Sequence, residues 1–421
     1  MMDRRSLLRG LGVLGCSAAA HPFMTTVTLA GADGGAPLGD QRLVVIILRG
    51  AMDGLDVLRP VGERAFAGYR PTLAATKSLD LDGFFDLHLG LSGLYPLWQA
   101  GELAFVQATS TPYRDKRSHF DGQDLLEAGT SPDLPGLHLR DGWLNRMLQS
   151  VPGLRSETAF AVGRQEMRIL RGPAPVMDWS PDTAVNLSPQ AQLLLEQVYH
   201  DDPLFMAAAA EAMMLSGLEL GDEMGDVMGD LAMSGEEMGS MMMAQSPTPV
   251  LRGARLGEAD RVADYAAERL RGATRIAAFS LTGWDTHKGQ GKGMGRALAR
   301  LERSILRLKS GLGAEIWGKT TVLAMTEFGR TVAENGTGGT DHGTAGAMVV
   351  AGGAIRGGKV YGQWPGLEEA NLFERRDLMP TSDVRAWAAH TMRGLYGFDR
   401  GLLQDKVFPG LEMGDDPGLI L

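Results

Sequence analysis

The chain has 421 residues, long enough for one large α/β domain with an insertion or for two modest domains. Its formal net charge of −10, with no basic block, argues against a nucleic-acid partner. The single cysteine, Cys16, excludes a disulfide framework and a cysteine-based metal cluster.

The first segment, "DRRSLLRG", places Arg4 and Arg5 ahead of a weakly apolar stretch rich in Gly and Ala. It reads as a twin-arginine export signal over residues 1–32, with "AGA" (Ala30–Ala32) as the cleavage site and a flexible leader over 33–41. Cys16 falls inside this signal, so the exported chain would carry no thiol. His21 and Pro22 interrupt the apolar run, which argues against a transmembrane span. The expected location is the periplasm or the exterior, reached with the twin-arginine export machinery as a partner.

Residues 42–421 read as one domain. The unbroken, mostly β-branched run Val44–Leu48 predicts a strand buried on both faces, as in a parallel sheet. Further strands are expected within Glu102–Ser110, Ser156–Gly163, Thr274–His287, Lys319–Thr331 and Ala345–Gly353. Helical patterns between them, such as Gly293–Leu312, complete a strand–helix alternation that predicts a doubly wound α/β fold. Residues 205–245, where methionine recurs among Gly, Glu and Asp, read as a helical or disordered surface insert. Leu193–Tyr199 and Asp260–Arg271, which flank it, read as helices.

Open α/β sheets bind ligands at the carboxyl ends of their strands. Four strand ends carry suitable groups: Asp53 and Asp56; the stretch Arg114–Asp124; "WDTH" (Trp284–His287); and "EFGRT" (Glu327–Thr331), followed by the glycine-rich "GTGGTDHGTAG" with Asp341 and His342. Of eight histidines in the chain, His119, His287 and His342 stand at these points beside carboxylates. Asp285 and His287, two apart, leave the same face if the strand continues. They form either a metal-ligand pair suited to zinc or manganese or a simple hydrogen-bonded pair. Ser118, three before Asp121, predicts a helix N-terminus. It is a capping residue or, beside the positive end of the helix, a nucleophile. Arg114, Lys116 and Arg117 add positive charge there. Glu327 and Arg330, three apart, can pair with each other. Asp341 can ligate, orient His342 or cap its turn. His88 reads as a loop or packing residue, and His138, His200 and His390 have no supporting context.

Taken in order, "MDG", "RSHFDGQD", "WDTH", "TEFGRT" and "GGTDHG" resemble an exported bacterial family, domain of unknown function 1501, and through it the alkaline phosphatase and sulfatase superfamily. The resemblance implies an alkaline-phosphatase-like three-layer sandwich, its mainly parallel sheet flanked by helices. It also implies one or two divalent metals (zinc, manganese, magnesium or calcium). Ser118 resembles the helix-start nucleophile, and Asp285, His287 and His342 resemble the ligands of a first metal. Asp53 and Glu327, with Asp341, fall where a second metal is held, and Arg117 or Arg330 would bind a non-bridging oxygen. Phe328 follows Glu327 where the superfamily has a histidine.

The expected function is metal-dependent hydrolysis of a small phosphate or sulfate ester. The alternative is a catalytically altered protein of this fold that binds or assembles envelope proteins. Convergence of Asp53, Ser118, Asp285, His287, Glu327 and His342 in one cleft is the structural requirement of the hydrolase reading.

Overall fold

Leu43 to Leu48 are fully buried, and they alternate between two cores. Leu43, Val45 and Ile47 pack into one, Val44, Ile46 and Leu48 into the other. A strand with period 2 can do this only if both faces of its sheet are covered. Each such side chain contributes roughly 1.5–3 kcal/mol on burial, so this strand anchors both layers. The protein is described from a computed structural model that covers residues 38–114, 116–132, 141–181 and 257–421. The export signal with Cys16, residues 33–37 of the leader, Leu193–Tyr199, the stretch 205–245, His138 and His200 lie outside the described residues.

In chain order the strands are β1 (Arg42–Arg49), β2 (Leu58–Arg59), β3 (Ser78–Asp80), β4 (Asp86–His88), β5 (Leu103–Ser110), β6 (Ala159–Val162), β7 (Met177–Trp179), β8 (Ile276–Thr282), β9 (Thr320–Met325), β10 (Gly346–Ala351), β11 (Lys359–Tyr361) and β12 (Ser382–Asp383). The large sheet has the order β11-β5-β10-β9-β1-β8-β6-β7, with β12 beside β5. β2, β4 and β3 form a small separate sheet. Among the described strands of the large sheet only β10 runs against its neighbours, antiparallel to both β5 and β9. The six strands expected from sequence correspond to β1, β5, β6, β8, β9 and β10, and the architecture is the three-layer, mainly parallel α/β sandwich.

Helices cover both faces. Trp143–Gln149 and Val384–Tyr396 supply side chains to the core of Val45, while Glu258–Arg271 and Gln290–Trp317 supply those of Val44. The long helix begins three residues earlier than its periodicity suggests and is interrupted at Gly313. Among the described residues no helix is long and apolar enough to cross a membrane.

Because β10 is reversed, its amino end lies at the same sheet edge as the carboxyl ends of β1, β8 and β9. The segment before β10 therefore returns directly over the segment after β9. Arg330 and His342 form an isolated antiparallel bridge. Gly343 N donates to Gly329 O at 2.9 Å, and Gly329 N to Thr344 O at 3.0 Å. This crossing leaves no room for side chains. A Cβ on Gly343 would lie 2.3 Å from the Arg330 carbonyl carbon, and one on Gly339 would lie 2.4 Å from the His287 carbonyl. Gly343→Ala is expected to lower stability by about 1–3 kcal/mol, whereas Gly336→Ala, in open space, should stay within about 0.5 kcal/mol. Denaturant unfolding of the two variants beside the wild type tests this.

Candidate metal centre

The loop after β8 carries Asp285 and His287. The helix His119–Ala128, which follows β5, brings His119 in its first turn, and the crossing segment before β10 brings His342. All three imidazoles turn Nε2 toward one oxygen. Asp285 Oδ1 lies 3.1 Å from His287 Nε2, 3.2 Å from His342 Nε2 and 3.4 Å from His119 Nε2. His287 Nε2 and His342 Nε2 are 2.9 Å apart. His119 and His342 meet edge to face with ring centroids 4.3 Å apart.

The opposite nitrogens are already taken. His342 Nδ1 lies 2.8 Å from the Arg117 carbonyl oxygen, which can only accept, so this nitrogen carries the hydrogen. His119 Nδ1 lies 2.8 Å from Glu327 Oε1, and His287 Nδ1 lies 3.1 Å from Asp341 Oδ1. Ionised carboxylates also only accept. Each ring thus spends its N–H outward and presents a lone pair inward. Two such lone pairs face each other at 2.9 Å beside a carboxylate. That arrangement is repulsive unless a cation, a proton or a metal ion, lies among them. Among the described residues, His119 Nε2 is buried without a hydrogen-bond partner.

The donor set fits a metal. Bonds of about 2.0 Å in tetrahedral geometry put donor atoms about 3.3 Å apart, close to the separations here. Among the described residues, His119, Asp285 and His342 place ligand atoms within 4.8 Å of one another. The backing by Glu327, Asp341 and the Arg117 carbonyl fixes ring orientation and tautomer in the way metal-bound histidines require.

The electrostatics follow from these partners. The hydrogen bond that His119 donates to Glu327 raises the His119 pKa above its ordinary value, outweighing burial. Burial raises the Asp285 carboxyl, but Arg330, aided by His119 and His342, more than offsets this and holds it at about 2. His342 is lowered by burial and by the positive charge of His119 and Arg330. Burial also pushes Glu327 up, yet its hydrogen bonds from His119 and Gln123 leave it below the ordinary glutamate value.

Each residue singled out in the sequence can now be placed. Asp285, His287 and His342 come together. Glu327, fully buried, reaches the centre only through His119; it also accepts from Gly50 N at 2.9 Å and Gln123 Nε2 at 3.0 Å. It does not pair with Arg330. Asp341 orients His287, not His342, and accepts from Asn335 Nδ2 at 3.0 Å. Asp53 does not join the cluster. Its carboxylate takes a two-pronged contact from Arg70, at 2.7 and 3.0 Å, and caps the short helix Gly54–Val57. The requirement of full convergence is therefore met only in part, and a second metal set of Asp53, Glu327 and Asp341 is not assembled.

Ser118 is the N-cap of its helix, accepting from Asp121 N at 3.4 Å, one residue from His119. The Arg117 side chain pairs with Glu374 at 2.7 Å and Asp377 at 3.1 Å, so its link to the centre is its backbone carbonyl. That carbonyl is aimed by a left-handed conformation, φ 53°, which costs a non-glycine residue of order 1 kcal/mol. Arg330 is fully buried and turned inward. It donates to Gly50 O, Ala51 O, Trp284 O, Thr340 O and, at 2.5 Å, Asp285 Oδ1. The Arg330 guanidinium is thus taken up by internal acceptors. His88 Nδ1 accepts from Gly90 N, and buried His390 contacts Met413 O.

The sequence signal for His119 was present, since it is one of three histidines beside carboxylates at strand ends, but the neighbouring serine claimed the role. Phe328, where a histidine was expected, stacks on His119 with ring centroids 5.2 Å apart.

A profile described as "Protein of unknown function (DUF1501)" matches residues 107–403, more than half of the chain. The chain belongs to this family. No curated protein matches the sequence of this DUF1501 member. Among solved structures, a protein in the alkaline phosphatase superfamily from Vibrio parahaemolyticus aligns with TM-score 0.40 and 11% identity, over 99% of this chain and 81% of that one. The C-terminal periplasmic domain of EcEptC from Escherichia coli, in complex with Zn, aligns with TM-score 0.36 and 10% identity, over 75% and 74%. The lipoteichoic acid synthase LtaP from Listeria monocytogenes aligns with TM-score 0.37 and 8% identity, over 89% and 77%. Likeness at this level assigns no activity to the DUF1501 chain.

A metal held at this centre would compete with a proton for His119 Nε2. Since the His119 pKa is raised above its ordinary 6.5, metal affinity should weaken as pH falls through that raised value and level off above it. Glu327→Gln should cost about 10–100-fold in affinity and move the onset of weakening to lower pH. Zinc titrations against a competing chelator, between about pH 6 and 8, check both outcomes.

Proposed function

We propose that the protein is a metal-dependent hydrolase of phosphate or sulfate esters built around a single divalent ion. His119, Asp285, His287 and His342 would hold that ion. The observation that carries this reading is the inward convergence of three Nε2 atoms on Asp285 Oδ1 while all three Nδ1 atoms are engaged elsewhere. A nitrogen-rich set favours zinc or manganese over magnesium or calcium, which prefer oxygen ligands. The Arg4–Arg5 motif supports export, which would place the activity in the periplasm or outside the cell.

When bound, the cation would supply Lewis acidity toward the anionic ester and lower the pKa of a nearby hydroxyl. Ser118 Oγ is the candidate nucleophile. Among the described residues its only hydrogen bond as acceptor is a long one, so the hydroxyl can turn toward an ester. The Oγ–phosphorus or Oγ–sulfur bond forms as the bond to the leaving alcohol breaks, and the Ser118 proton ends on that alcohol. Water then cleaves the serine ester, regenerating Ser118 and releasing the inorganic anion.

One observation favours a second reading, in which the chain binds or assembles other envelope proteins. Four protein donors resemble a closed structural metal site, and Arg117, Arg330 and Asp53 are all occupied by internal partners.

Two measurements separate the readings. Purified wild type should carry about one equivalent of metal, and His287→Ala/His342→Ala should lose it; unchanged metal content in the double variant would sink the site. In a phosphatase, phosphodiesterase and sulfatase panel, Ser118→Ala should fall by about a thousandfold. Equal rates would remove Ser118 as nucleophile. A wild type that holds metal but is inactive throughout the panel would favour the second reading.

A further inference from the structure

Gln290 opens the long helix Gln290–Trp317 and is completely buried. Its amide oxygen accepts from Thr286 Oγ1 at 3.0 Å and from Thr340 Oγ1 at 2.7 Å. Its amide nitrogen donates to Asp53 Oδ2 at 2.6 Å and Asp56 Oδ2 at 3.0 Å. All four hydrogen-bonding positions of the amide are therefore used. The amide can sit only one way round, because reversing it would set its oxygen against two carboxylates.

The two hydroxyls come from the ligand-bearing segments. Thr286 lies between Asp285 and His287, and Thr340 precedes Asp341 and His342. The carboxylates are themselves fixed. Arg70 grips Asp53 and also donates to Thr331 O at 2.8 Å and Val332 O at 2.9 Å, on the far side of the crossing segment. Arg59 holds Asp56 at 2.6 Å.

We propose that Gln290 is a positioning residue for the metal centre, which sets the spacing between His287 and His342 by tying Thr286 and Thr340 to the buried Asp53–Arg70 pair. This rests on the metal reading above. The two imidazoles belong to segments 55 residues apart in sequence. Thr340 N donates to Thr286 O at 3.2 Å and Arg330 reaches both segments, and Gln290 adds the side-chain anchor beneath both threonines. Among the described residues the Gln290 side chain makes no hydrogen bond to either ring, so its amide acts through the two threonines.

The test is a zinc titration, against a competing chelator, of the metal-stripped full chain. It compares wild type, Gln290→Met, and the shape-preserving pair Thr286→Val/Thr340→Val, with thermal unfolding of each metal-free protein alongside. Zinc affinity of the folded protein should fall about tenfold or more in both variants. A purely structural role would lower the unfolding midpoint and leave affinity unchanged, and that result overturns the proposal. If Gln290→Met does not fold, the threonine pair decides. A wild type that binds no zinc removes the metal reading and this inference with it. A wild type that binds zinc as tightly as either folded variant removes this inference alone.

Discussion

The buried guanidinium of Arg330 is the tie on which the sheet edge depends. It donates to the carbonyls after β1, to the turn after β8, to the strand-like segment before β10, and to the Asp285 carboxylate. Three chain segments that share no sequence neighbourhood thereby share one cation. Burying a guanidinium costs several kcal/mol unless every donor is satisfied and its charge is matched. Four carbonyls and one carboxylate meet that condition. Asp285 therefore has a fixed place and an ionised state before any ligand arrives. The imidazoles then gather around a preset negative charge.

A second buried pair, Asp53 with Arg70, works on the other side of the crossing segment. Breaking such a pair by removing one partner typically costs about 3–5 kcal/mol. Between these two pairs, the short route from Glu327 to His342 is held at both ends and along its length, and its exposed tip near Gly336–Gly338 is tied to His287 O and to the backbone amide of Gln290. The close glycine crossings follow from this compression. Two pinned backbones lie too near each other to carry side chains.

Much of this was legible in the sequence. The six strands were readable because unbroken β-branched runs mark doubly buried strands. Asp285, His287 and His342 stood out because histidines are scarce and these lie beside carboxylates after apolar runs. The roles of neighbours were harder. Ser118 and His119 are adjacent, and only the helix start decides that the serine caps while the imidazole turns inward. Arg70 and Gln290 carry no motif. Each acts through a partner distant in sequence, 17 residues to Asp53 for Arg70 and 50 to Thr340 for Gln290. Asp53 looked like a free acid at a strand end because a sequence does not show which cation folds back onto it. Likewise, Glu327 and Arg330 sit three apart, yet the chain turns between them and sends each to a different partner.

The candidate donor atoms of the proposed site come from positions 119, 285, 287 and 342, one of them ahead of most of the sheet and the others behind it. No local stretch of the unfolded chain can gather them, so the set exists only when β5, β8 and β10 are in register. A cation with no affinity for the open chain draws the population toward the closed one, by an amount that grows with the logarithm of its free concentration. The surrounding metal supply would then enter the folding equilibrium of this protein as directly as temperature does.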